Sequence, residues 1–232
     1  MNINQFLKHI TQKKKLAILL HPDKIAVEDV SAVIQKIPSA TDFLLIGGSF
    51  VEKDKTDIIV KEVKKHTQLP VILFPGDYEQ FSKHADAILF LSLLSGENAA
   101  FLISHQLKAA PEIKKAKLPV IPTGYILIDG HNHSAVAQKT DTKPIDQNNI
   151  DQIVNTAITA EYLGKKLIYL EAGSGAAISV DTKIIQEVSD HVDLPIIVGG
   201  GIRTKKQINE AYQAGADVVV VGTAFENQKL KL

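Results

Sequence analysis

The sequence predicts an α/β chain folded as one parallel (β/α)8 barrel, and three observations carry that expectation. Short, nearly all-apolar runs alternate with helix-period segments about eight times along 232 residues, as in a parallel sheet covered on both faces. Glycine or polar clusters follow nearly every run, whereas a doubly wound sheet would gather them at one switch point. The last three runs, Lys166–Leu170, Pro195–Val198 and Val218–Val221, each empty into glycine, at Gly173-Ser174-Gly175, Gly199-Gly200-Gly201 and Gly222.

In order, Ile3, Phe6, Leu7 and Ile10 share one face of a short helix over Asn2–Thr11 that closes one end of the domain. Leu16–Leu20 is a buried strand ending at His21-Pro22-Asp23-Lys24. Val27–Ile37 is a helix with Glu28 and Asp29 in its first turn and a stop at Pro38. Asp42–Ile46 opens into Gly47-Gly48-Ser49, ahead of a helix over Asp54–His66. Strand Pro70–Phe74 turns at Pro75-Gly76-Asp77, and Tyr78–His84 is short for a crossover helix, so the third helix is expected to be degenerate. Ala87–Ser92 is a strand, and Ser95-Gly96-Glu97-Asn98 leads into a helix running to Lys114. Strand Pro119–Ile128 carries Pro122-Thr123-Gly124-Tyr125. Asp129–Asp146 has no period and reads as a long loop. Asn148–Leu163 is a helix punctuated by Gly164, and helices around Thr182–His191 and Thr204–Ala214 separate the closing strands.

Composition fits one core over residues 1–232, with 45% apolar residues and no linker or low-complexity tract. Lys+Arg and Asp+Glu are both 26, which argues against a chain that coats nucleic acid. Without cysteine there are no disulfides, thiolate nucleophiles or zinc–thiolate sites. The polar start lacks a signal-peptide core and no apolar run is long enough to span a bilayer, so a cytoplasmic domain is expected.

In a barrel the carboxyl ends of the strands share one mouth. It would gather His21, Asp23, Lys24, Ser49, Thr123, Tyr125, Tyr169, Glu171, Ser174, Thr223 and the glycines. Glycine lets backbone N–H groups approach a ligand, and helix N-termini favour anions, so the three glycine exits suggest a composite phosphate cradle; the alternative, that they merely allow tight strand-to-helix turns, explains one such site better than three. Glu171 follows the apolar run and suits a base or hydrogen-bond acceptor for a substrate hydroxyl; the alternative is a structural ion pair. Tyr169 projects to the same side of its strand, either packing or touching substrate. Asp23 and Ser49, with His21 between, offer ligands for magnesium near the first two strand ends, although Asp23 equally suits a Pro-Asp turn. Arg203, the only arginine, would bind phosphate or face solvent. His131, His133 and the run Lys13-Lys14-Lys15 read as solvated.

Taken in order, HPDK, IGGS, VILFPGD, FLSLLSGEN, IPTGYILIDG, LIYLEAGSGA, IVGGGIR and VVVGTA resemble the geranylgeranylglyceryl phosphate synthase family over nearly the whole chain. They look closest to its branch in archaea and some bacteria. The resemblance implies a magnesium-dependent prenyltransferase on a modified TIM barrel whose third helix is replaced. The implied reaction joins the C3 hydroxyl of sn-glycerol 1-phosphate to geranylgeranyl diphosphate as an ether and releases diphosphate. On that footing Leu170, Glu171, Ala172, Gly173, Ser174, Gly175, Ala176, Gly200, Gly201, Gly222 and Thr223 hold the glycerol phosphate. Glu171 helps deprotonate the attacking hydroxyl, Tyr169 and Tyr125 line the space between the substrates, and Lys24 lines the site. Ser49 matches a magnesium ligand.

Two positions depart from the family pattern. An aspartate usually precedes the proline of HPDK, and here it is His21. Imidazole is a poor magnesium ligand, so Asp23 substitutes or metal use is altered. Gly222-Thr223 stands where the family has Gly-Asn and keeps the backbone donor. A C20 tail needs an apolar groove, for which Phe74, Phe90 and Leu94 are the candidates, each buried CH2 contributing about 0.8 kcal/mol. The resemblance also implies a homo-oligomer, dimer or hexamer, and transient membrane contact through a lipid product. The rival readings are a sugar-phosphate isomerase or aldolase, and a non-catalytic binder of phosphate esters or prenyl lipids.

Overall fold

The computed structural model describes residues 2–230. Eight parallel strands close on themselves in sequence order. They are β1 (Lys15–Leu20), β2 (Phe43–Ile46), β3 (Val71–Leu73), β4 (Ala87–Leu93), β5 (Val120–Leu127), β6 (Leu167–Glu171), β7 (Ile196–Gly199) and β8 (Val218–Val221). The seam is the pairing of β1 with β8, from Lys15 opposite Val218 to Ile18 opposite Val221.

Because strand side chains alternate between faces, the core has two shells. Ala17, Leu45, Ile72, Leu89, Tyr169 and Val220 fill the barrel interior. Leu16, Ile18, Leu44, Ile46, Ile168 and Leu170 face the surrounding helices. Helix α1 (Ile3–Gln12), capped by the Asn2 side chain, plugs the bottom: Ile3, Phe6 and Leu7 pack on the interior shell. Phe6 meets Phe43 edge-on at 5.5 Å.

The crossovers are uneven. The helix expected over Val27–Ile37 is a single 3-10 turn, Val27–Asp29, followed by the short α2 (Val30–Gln35). Helix α3 (Lys55–His66) is full length. No helix separates β3 from β4, in line with the degenerate third helix. In its place Gln80 ties three backbone groups: its carboxamide oxygen accepts from Gly48 N at 3.3 Å and Gly76 N at 3.1 Å, and its nitrogen donates to Gly48 O at 2.7 Å. A π-helical turn, Ala100–Ser104, opens into α4 (His105–Ala116).

The stretch Asp129–Asp146 is not all loop. It holds α5 (Ala135–Thr140), whose first turn is capped by Ser134 Oγ accepting from Ala137 N at 3.1 Å. Six residues are too few for an apolar period to register. The remaining helices are α6 (Ile150–Tyr162), α7 (Thr182–His191), α8 (Lys205–Gln213) and α9 (Thr223–Glu226). Among the described residues no helix is long and apolar enough to cross a membrane.

Candidate active site

Strand parity decides what faces the mouth. On β6, Tyr169 points into the barrel and the carboxylate of Glu171, two residues on, follows it at the strand's open end. Leu170 points outward into the outer shell. Glu171 is 5% exposed, and one oxygen accepts from Gly173 N at 2.7 Å. Burial pushes its carboxyl up to about 7, opposed by the Gly173 N–H and then by the nearby Tyr169 hydroxyl. That hydroxyl lies close enough to favour the charge on Glu171 but is not aligned as a full hydrogen bond, and it has no other protein partner. Burial, then the Glu171 charge, holds both the Tyr169 and Tyr125 hydroxyls well above the usual phenol range.

Two glycines after β7 make room for this pair. A Cβ on Gly199 would sit 2.5 Å from the Tyr169 hydroxyl and 2.9 Å from Glu171 Oε2. One on Gly200, at φ +84°, would sit 2.6 Å from Glu171 Oε1 and 2.7 Å from Gly173 N. Phe74 stacks flat on Tyr169 at 5.0 Å and meets Tyr125 edge-on at 5.8 Å. The three rings form a step across the barrel mouth.

Around Glu171 the wall is formed by Ser174, Gly175, Gly200, Gly201, Gly222 and Thr223, enclosing part of an open space of about 1330 Å³. Ser174 and Thr223 hydroxyls meet at 2.9 Å. The other expected cradle residues lie behind the wall: Leu170, Ala172 and Ala176 are buried in the outer shell, and Gly173 contributes its N–H to Glu171. Arg203 lines the mouth and is half-buried. Its guanidinium donates to the carbonyls of Gly201 (2.8 Å), Ala177 (3.5 Å) and Ala176, fastening two glycine loops together.

The opposite rim carries His21, Lys24, Ser49 and Glu226. The His21 ring lies against Gly48, where a Cβ would collide with it, and its Nδ1 is buried without a partner. Burial, then Lys24, lowers its pKa, so the ring is neutral. Asp23 stands off the mouth: both carboxylate oxygens accept from Glu52 N, at 3.2 and 3.1 Å. Among the described residues no three His, Asp or Glu side chains converge as a metal site. His131 and His133 are exposed.

No motif marks Glu226, which accepts from Lys24 Nζ at 2.7 Å and from His21 N at 3.2 Å. It lies 202 and 205 residues from these partners, beyond any local pattern.

Where the third helix would stand, an apolar trough of about 840 Å³ opens between β4 and α4. Phe74, Phe81, Ile88, Phe90, Phe101 and Ile113 line it. Leu94 does not, since its side chain packs behind Gly124 in the outer shell. Trough and mouth are continuous, sharing Gly48, Ser49, Phe74, Tyr125 and Val136.

A glycine-lined wall around a buried carboxylate, open on one side to an apolar trough, marks the chain as an α/β-barrel with one composite mouth. The chain belongs to the PcrB family, whose model matches residues 8–232. It is 52% identical to a geranylgeranylglyceryl phosphate synthase of Zunongwangia profunda, over 94% of each chain. It is 39% identical to one of Methanosphaera stadtmanae, over 97% of this chain and 93% of that one. A crystal structure of (S)-3-O-geranylgeranylglyceryl phosphate synthase from Thermoplasma acidophilum in complex with sn-glycerol-1-phosphate superposes with a TM-score of 0.90 at 31% identity, covering 97% of this chain and 91% of that one.

Proposed function

We propose that the protein is a prenyltransferase that joins the C3 hydroxyl of sn-glycerol 1-phosphate to C1 of geranylgeranyl diphosphate. The C–O ether bond forms, the C–O bond to diphosphate breaks, and the hydroxyl proton passes to Glu171. The observation that carries this reading is the continuity of cradle and trough across the Phe74–Tyr125–Tyr169 step, with Glu171 on the cradle side. The cradle N–H groups and hydroxyls would hold the acceptor phosphate. The trough would take the tail, and the buried carboxylate, with its pKa near 7, suits a base at neutral pH.

The strand-end lysine that a Schiff-base aldolase would need, Lys24, is ion-paired to Glu226. Magnesium would enter this mouth on diphosphate: Ser49 would offer one hydroxyl, His21 only an imidazole, a poor magnesium ligand, and Asp23 would join only by releasing Glu52 N. Such an ion takes most of its oxygens from phosphate and water and would supply charge neutralisation for the leaving group. A homo-oligomeric state belongs to the same reading and is supported by the exposure of Leu107, Tyr162 and Leu163, at 67%, 84% and 62%. So does residence in the cytoplasm.

The test is incubation of labelled sn-glycerol 1-phosphate with geranylgeranyl diphosphate, in magnesium and in EDTA. Ether formation in magnesium that EDTA abolishes is expected. No ether from folded protein that still binds glycerol phosphate would return the non-catalytic binder. Light scattering reads the oligomer.

A further inference from the structure

Glu226 has no part in the reaction as described, yet its position is well defined. It ends α9, the short helix that begins at the Gly222-Thr223 arm of the cradle, and its side chain is 12% exposed. Its two oxygens divide between two groups of the β1 exit, the His21 N–H and the Lys24 ammonium. The barrel closes at this seam, but the β1–β8 ladder stops at Ile18 and Val221. Among the described residues no backbone hydrogen bond joins the two exits beyond that point. The Glu226 carboxylate is therefore the polar link between the cradle and the opposite rim.

Lys24 is held by this one carboxylate. Its side chain is 49% exposed, and it borders both the mouth and an open cleft between α2 and α9. A half-exposed ion pair is weak, so a multiply charged anion in the mouth would take the ammonium over at little cost. We propose that Glu226 is a positioning residue that couples the two anion subsites. With the mouth empty it holds Lys24 at the rim. When diphosphate arrives Lys24 turns to it, and Glu226, still accepting the His21 N–H, keeps the Gly222-Thr223 arm in register with the β1 exit. An acceptor phosphate ordering that arm thereby prepares the rim for diphosphate, and the effect is reciprocal. This rests on the prenyl-transfer reading for its two substrates but not on turnover.

Calorimetry tests it, with inorganic diphosphate titrated into protein in magnesium buffer, with and without saturating sn-glycerol 1-phosphate. Wild type is expected to bind diphosphate several-fold tighter when the acceptor is present. Glu226→Gln is expected to bind diphosphate alone at least as tightly as wild type, because Lys24 is no longer claimed, while the acceptor effect falls to about onefold. Glu226→Asp should restore part of it. Lys24→Met, an independent variant, should lose about tenfold in diphosphate affinity and show no acceptor effect.

An unchanged acceptor effect in Glu226→Gln overturns the proposal, as does wild type without one, or Lys24→Met binding diphosphate like wild type. Coupling lost in Glu226→Gln upholds the proposal even if no ether forms, in which case the functional reading fails alone. Ether formation with coupling indifferent to Glu226 fails the proposal alone.

Discussion

The two sides of the mouth are built by opposite means. The β6–β8 side is backbone: glycine exits form the wall, Glu171 is locked by Gly173 N, and Arg203 bolts the loops through their carbonyls. The β1–β4 side is made of side chains: Lys24, held from across the seam by Glu226, the Gln80 tie where a helix is missing, and a trough of phenylalanines. A backbone-built pocket fixes one geometry and suits a small, invariant phosphate. A side-chain-built one adjusts, which suits a charged leaving group and a long flexible tail.

The largest effect should fall where the two sides meet. Glu171→Gln is expected to lower kcat by about 10²–10⁴ with glycerol phosphate binding retained by calorimetry. In wild type the rate should rise with pH through about 7, where the carboxyl loses its proton. A variant that loses binding and rate together would make Glu171 part of the cradle only.

Filling the trough should break the other side alone. Ala109 lines the trough, and Ala109→Phe would displace roughly three to five CH2 groups of a bound tail, about 2–4 kcal/mol. KM for the prenyl donor should rise by tens- to hundreds-fold while that for glycerol phosphate stays within about twofold. Parallel rises in both would mean the two sides are not separable.

A stability measurement sharpens the contrast without substrates. Glu171 has a folded-state pKa of about 7 against 4.5 unfolded, so the folded form binds the proton more tightly. The stability this contributes is complete below about pH 4.5 and lost as pH rises through 7. Glu171→Gln, which resembles the protonated acid, should therefore match wild type near pH 4.5. At pH 8 it should exceed wild type by at most on the order of 3 kcal/mol, read as a higher melting temperature. A gap constant with pH would argue against a buried carboxyl.

The smallest effect is expected at Asp23. Its carboxylate serves a loop N–H, and Asp23→Asn keeps an acceptor oxygen, so kcat in magnesium should change by about twofold or less. A hundredfold loss rescued by manganese would make Asp23 a metal ligand after all.

What the sequence made legible follows the same division. Eight apolar runs with glycine exits announced the barrel and the glycine-lined wall at its mouth, because backbone turns need particular residues at particular places. The short Tyr78–His84 segment announced the missing helix. Side-chain constructions gave no such signal. Glu226 meets its partners only when β8 closes on β1, and the tie from Arg203 to the carbonyls of two glycine loops needs the folded mouth. Leu94 fell off the trough because its side chain packs over Gly124 instead. Helix α5 was too short to show a period.

The most direct test is a single-turnover assay with labelled sn-glycerol 1-phosphate and geranylgeranyl diphosphate, wild type beside Glu171→Gln, between pH 5.5 and 8.5. Ether formation in wild type, rising through about pH 7 and nearly absent in the variant, is the predicted result. No ether in wild type at any pH, or equal rates in the two proteins, would contradict a reaction carried by Glu171 between cradle and trough.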